Sequence, residues 1–133
     1  MLAAIKEKKV NMFHNALEYL SEYRGVNKAI IFDSDGLVIG MAGENETNNE
    51  SFSALMLLML DQMNHILKRL DENPAKKLVI KSDDSWLTLE RIGNLILVVN
   101  ANSETDELLK VRFGQAVEMI KTHLVDNYPL LSK

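Results

Sequence analysis

The run from Leu95 to Asn100, LILVVN, is apolar at five successive positions. A half-buried strand alternates apolar and polar residues, because successive side chains point to opposite faces. A run without alternation predicts a central strand covered on both sides. In a chain of 133 residues that demand is severe. Helices must lie on both faces of one sheet, which points to an α/β sandwich of the mixed α+β kind.

Apolar periodicity supplies the helices. Val10, Phe13, Leu17, Leu20 and Tyr23-Arg24 fall three and four apart. They predict a first helix from about Lys6 to Tyr23, ended by Gly25 as a left-handed cap. Lys28 to Asp33 and Leu37 to Ala42 are β-rich and flank Ser34-Asp35-Gly36, a hairpin signal. Gly43 to Asn49 is polar. Thr47, Asn48 or Asn49 can cap a second helix from about Asn49 to Leu70 or Asp71, with Glu50 favourable in its first turn. Asn73-Pro74 ends it. Three strands follow: Lys77 to Ser82, Ser85 to Ile92 and Leu95 to Asn100, with turns at Asp83-Asp84 and Gly93-Asn94. In the middle one, Trp86, Thr88 and Glu90 face one way and Leu87, Leu89 and Arg91 the other. Ala101 to Glu104 reads as a loop. A last helix from about Thr105 to Val125 aligns Leu109, Phe113, Ala116, Val117, Ile120 and Leu124 on one stripe. The order is α-β-β-α-β-β-β-α. Tight turns join successive strands, so the five-stranded sheet is antiparallel, with the second helix on one face and the first and third on the other. Residues 1–125 form one domain and 126–133 a tail.

Charge and composition exclude several classes. Fifteen basic and 19 acidic residues give a net charge of −4, unlike the concentrated positive field of a nucleic-acid backbone binder. Cysteine is absent, which removes a disulfide scaffold, a thiolate zinc site and a cysteine nucleophile. The longest apolar run, Ala54 to Leu60, is seven residues, against about 20 for a membrane span. Met1 to Val10 lacks the apolar core of a signal peptide. A cytoplasmic location is expected.

Asp33-Ser34-Asp35-Gly36 is the sharpest chemical motif. After an apolar strand, Asp-x-Asp is how one class of phosphohydrolase places a nucleophilic and an acid-base aspartate, and Lys81 with Asp83-Asp84 could be cast as its remaining parts. That fold needs a parallel sheet with several crossover helices, and the position that is usually Thr or Val is Leu37. A plain turn is the favoured reading. A calcium loop from Asp33 would place Leu37 and Val38 where Asp or Asn and Gly belong. His14, His65 and His123 sit on three different predicted helices, on or near polar faces, and no metal-binding role is assigned to them. There is no Gly-x-x-x-x-Gly-Lys to hold nucleotide phosphates. No catalytic, cofactor-binding or metal-binding residue is expected.

The second helix carries the functional argument. Phe52, Met56, Met59, Met63, Ile66 and Leu70, with Leu55, Leu60 and Leu67 beside them, form an apolar arc expected to cover the sheet. Ala54, Leu57 and Leu58 are expected to point away from it, sharing the outer side with Asp61, Asn64, His65 and Lys68. A helix apolar on two sides is buried on two sides. Ala54, Leu57, Leu58 and Val79 are therefore expected at a subunit interface, extended by pairing of the Lys77 to Ser82 strands. Asp61, His65 and Lys68 are expected to form a polar rim for a partner.

The ordered set of pieces resembles the roadblock / dynein light chain family, most of all its short MglB-like members. The pieces are Gly25-Val26, the hairpin AIIFDSDGLVIGMA (Ala29 to Ala42), the long helix beginning beside Glu50, the trio VIKSDDSWLTLERIGNLILVVN (Val79 to Asn100) and Val111-Arg112-Phe113 on the last helix. The resemblance covers roughly residues 5 to 125. It implies a profilin-like domain that works as a homodimer or heterodimer, has no cofactor or catalytic side chains, and regulates or scaffolds a small Ras-like GTPase or attaches cargo to a motor. Two rivals from other classes stand beside it: an Asp-x-Asp phosphohydrolase and a small-molecule sensor module.

Overall fold

The computed structural model describes residues 13–43 and 49–127. Helix α1, residues 13–21 as described, leads into β1 (Val26–Asp33) and β2 (Val38–Gly43). Helix α2 (Asn49–Arg69) follows, then β3 (Lys77–Lys81), β4 (Ser85–Ile92), β5 (Leu95–Asn102) and α3 (Leu108–Asn127). The expected start of the first helix, Val10 within it, and the candidate caps Thr47 and Asn48 lie outside the described residues.

The sheet order is β2-β1-β5-β4-β3, with every ladder antiparallel. The unbroken apolar run therefore occupies the centre, and its two faces serve two separate cores. Leu95, Leu97 and Val99 join Phe13, Leu17 and Leu20 of α1 and Leu109, Phe113 and Ile120 of α3. Ile96 and Val98 join Ile30, Phe32, Leu89 and Leu60 of α2. Each fully buried side chain of this size contributes about 1.5–3 kcal/mol. All six residues of the expected α3 stripe are buried.

Element ends differ from expectation for local reasons. β5 runs on through Ala101 and Asn102 because Ala101 pairs with both Val26 and Trp86, and Asn102 pairs with Ser85. α3 starts at Leu108 because Asp106 caps it: the Leu108 amide donates to Asp106 Oδ1 at 3.0 Å. It continues to Asn127, past the expected end at Val125. Two tyrosines clasp α1 to α3. The Tyr23 hydroxyl donates to the Asp106 carboxylate, and this bond raises the Tyr23 pKa above its ordinary value. Arg112 Nε donates to the Tyr19 carbonyl at 2.8 Å, with its guanidinium 4.1 Å from the Tyr19 ring centre.

The end of α2 shows one strained residue. The Glu72 amide donates to the Leu67 carbonyl and the Asp71 amide to the Lys68 carbonyl, the paired bonds of a Schellman cap. The cap needs a left-handed residue, and Asp71 takes it at φ 59°. Asp71→Gly is expected to stabilise the protein by about 0.5–1 kcal/mol, read as a melting temperature raised by a few degrees. An unchanged or lower melting temperature would show that the aspartate side chain contributes more than its strain removes.

Candidate partner-binding surface

The hairpin motif is a turn built on one carboxylate. Asp33 Oδ1 accepts from the Asp35 and Leu37 amides, both at 2.9 Å, and Gly36 takes φ 87°. This carboxylate is spent on backbone donors, and the sheet lacks the parallel strands a phosphohydrolase would need.

The histidines do not converge. His14 is exposed and 3.1 Å from Glu18, one helical turn on. His123 is buried against the Phe13 ring, centroids 4.8 Å apart. The expected polar-face position of His123 is thus corrected: it belongs to the α1–α3 core. Among the described residues no cluster of acids and histidines could hold a metal ion, and no helix is long and apolar enough to cross a membrane.

The rotation of α2 about its axis decides which residues it offers to a partner. Its two fully buried side chains are Ser53 and Leu60. Ser53 Oγ donates to the Gly36 carbonyl at 2.8 Å, tying the start of the helix to the hairpin turn. Asn64 Oδ1 accepts from the Ala75 amide at 2.7 Å, tying its second half to the chain leading into β3, so Asn64 is half-buried against that chain and does not stand on the outer side as expected. Phe52, Met56, Leu57 and Met59 pack beside Leu60.

This orientation corrects two expectations. Leu57 does not point away from the sheet. It is half-buried in the α2-side core, and its Cδ1 lies 3.2 Å from where a Cβ on Gly36 would stand. Conversely, Leu55, Ile66 and Leu70, expected over the sheet, are 60%, 50% and 64% exposed. Leu58 is 53% exposed, as expected, and Ala54 is exposed. At about 100° per residue, Leu58 stands nearly opposite Leu60. Leu55, Ile66 and Leu70 fall on one flank of the outer side, and Ala54, Asp61, His65 and Lys68 on the other. Asp61, His65 and Lys68 are all exposed.

The second unpartnered feature is β3. It pairs only with β4, so among the described residues its outer edge carries no strand. Val79 is 45% and Ile80 43% exposed. Alternation puts Ile80 on the α2 side with Leu78, which packs in that core. Val79 faces the α3 side. Lys77 and Lys81 close the strand at both ends, a usual guard on a free edge. Periodicity missed the role of Ser53, because a buried polar anchor carries no hydrophobic signal. Its only trace was a small hydroxyl residue four positions after the helix start.

The Roadblock/LC7 domain profile matches residues 12–101. Solved structures share the fold at low identity. MglB of Myxococcus xanthus is 19% identical with a TM-score of 0.78, over 93% of this chain and 92% of that one. A Roadblock/LC7 domain from Streptomyces avermitilis is 20% identical, TM-score 0.73, over 83% and 95%. MglB in a tetrameric arrangement is 15% identical, TM-score 0.79, over 89% and 91%. No curated protein matches the chain in sequence.

Proposed function

Because the chain belongs to the Roadblock/LC7 domain family, we propose that it works as a homodimeric, non-enzymatic regulator or scaffold of a small Ras-like GTPase. The observation that carries the dimer is the apolar outer side of α2. Leucines and isoleucines rarely line the outer face of a surface helix in a lone domain, and a contiguous apolar patch marks an interaction site. In the proposed dimer Ala54 and Leu58 meet their symmetry mates, with Leu55, Ile66 and Leu70 widening the contact. Ile80 joins it on the α2 side, and Val79 meets the seam from the α3 side, as β3 pairs with its copy and continues the sheet. Leu57 supports this surface from beneath rather than forming it.

Asp61, His65 and Lys68 are proposed as the polar rim that the GTPase meets. Rim charges act chiefly on association rate and salt dependence. The double variant Asp61→Lys, Lys68→Glu is therefore expected to weaken binding to the cognate GTPase about tenfold, while the melting temperature stays within a few degrees. Binding is measured with the GTPase in its GTP and GDP forms, using the small GTPase that co-purifies with the protein. Equal affinities for wild type and variant in both nucleotide states would remove this flank from the reading. A wild type that binds no small GTPase would remove the reading itself. A cytoplasmic site of action belongs to the same proposal.

A further inference from the structure

On the face away from α2, a cavity of about 260 Å³ opens between the β3–β4 edge of the sheet and α3. Its walls are apolar and aromatic: Val79, Trp86 and Phe113, with the aliphatic stems of Lys77 and Lys110 at its sides. Ammonium groups stand over both rings. Lys81 Nζ lies 3.9 Å from the Trp86 ring centre and Lys77 Nζ 5.3 Å from that of Phe113. Lys81 and Lys110 then converge on one carboxylate at the mouth, with Nζ–O distances to Glu107 of 2.9 Å and 2.7 Å. The bonds from Lys110 and Lys81 hold the Glu107 carboxyl below its ordinary pKa. Glu90 lies across the ladder from Lys77. Three ammonium groups, those of Lys77, Lys81 and Lys110, thus stand around the pocket.

We propose that this pocket is a binding site for a small anion with a flat apolar body, an aromatic carboxylate. The ring rests against Val79 and the partly exposed Trp86. The carboxylate takes the position now filled by Glu107, accepting charge-assisted bonds from Lys81 and Lys110. Glu107 is then a built-in competitor: it marks where an anion sits, and, being exposed at the mouth, it can swing into water when a ligand displaces it. An apolar pocket with a few convergent polar groups is the general form of a ligand site. This proposal stands apart from the GTPase reading and needs only the chain's own residues. If β3 pairs with its copy, two such pockets adjoin across the axis.

Trp86 is the only tryptophan, so its fluorescence reports on the pocket directly. The intact protein is titrated with phenylacetate, with the neutral amide phenylacetamide, and with acetate. A saturable change is expected for phenylacetate, with affinity about tenfold above either control. Two exposed-site variants test the mechanism. Glu107→Gln removes the competitor and is expected to tighten phenylacetate binding several-fold. Lys110→Glu is expected to weaken it about tenfold. The opposite signs separate a binding role from a general effect on folding, which would shift both variants the same way. No saturable change with wild type, equal affinity for acid and amide, or unaltered binding in Glu107→Gln would each overturn the assignment.

Discussion

Replacing Gly25 with valine is expected to cost about 3 kcal/mol or more, a large share of the roughly 5–15 kcal/mol that holds a domain folded. Two effects add. Gly25 sits at φ 81°, where a β-branched residue is strained. A Cβ there would lie 2.4 Å from the Thr105 nitrogen and 2.9 Å from the Glu104 carbonyl carbon. Both are backbone atoms, so no side chain can swing aside. The Gly25 carbonyl also accepts from the Asn102 amide at 2.8 Å, so moving Gly25 away would break the pairing at the end of β5. The measurement is the urea midpoint followed by Trp86 fluorescence. Gly114 provides the contrast within the same chain. It lies in α3 with nothing within 4 Å of its Cβ position, so Gly114→Ala is expected to raise stability by about 0.5–1 kcal/mol through helix propensity alone. A Gly25→Val protein unfolding at the wild-type midpoint would contradict the close approach of the end of α1 to the loop before α3.

Leu58→Asp combined with Ile80→Asp is expected to halve the particle mass, from twice 15.1 kDa to 15.1 kDa, in light scattering at micromolar concentration. Both side chains are about half exposed in the single chain, so neither substitution opens a core. In the proposed dimer each would place a carboxylate in a desolvated contact, against itself across the two-fold axis. Losing the burial of even one leucine per subunit removes about 1.5–3 kcal/mol from each side. The wild-type melting temperature should rise with protein concentration, as dissociation is coupled to unfolding, and that dependence should vanish in the variant. Leu57→Asp is the discriminating partner. Because Leu57 packs in the α2-side core, it should lower the melting temperature steeply. A wild type of 15.1 kDa, or a double variant with unchanged mass, would refute the dimer.

The sheet was legible because its signals are local and redundant. The unbroken LILVVN run could sit only where two cores meet, and it does: Leu95, Leu97 and Val99 in one, Ile96 and Val98 in the other. The stripe of α3 was equally plain, since six apolar residues at helical spacing fall on one side and all six are buried. The rotation of α2 was not legible, for a physical reason. Hydrophobic periodicity finds the mean direction of the apolar side chains. When a helix is apolar both toward its own sheet and toward solvent, that mean falls between the two. Leu55, Ile66 and Leu70 pulled the inferred phase outward, while Ser53, which marks the true inward line, pulled it nowhere. The cue that fixes the phase is the bond from Ser53 to the Gly36 carbonyl, a contact across 17 positions that no window on the sequence contains. His123 departs from its expected polar face for a like reason: its imidazole is buried edge-on to Phe13, using its aromatic body rather than its polar tip.

The place of β5 also sets an order of events during synthesis. Among the described residues it is the last strand made and the middle strand of the sheet. Asn27 and Asn100, whose side chains bond across the β1–β5 ladder, are 73 positions apart. Closing so long a loop slows folding relative to local pairing. The β1–β2 hairpin, then α2, then the β3–β4 hairpin leave the ribosome with their apolar inner faces uncovered. At about 5–20 residues per second, the first hairpin waits several seconds before its neighbour exists. Until β5 has emerged, the chain carries two hairpins that belong to one sheet, and nothing to join them.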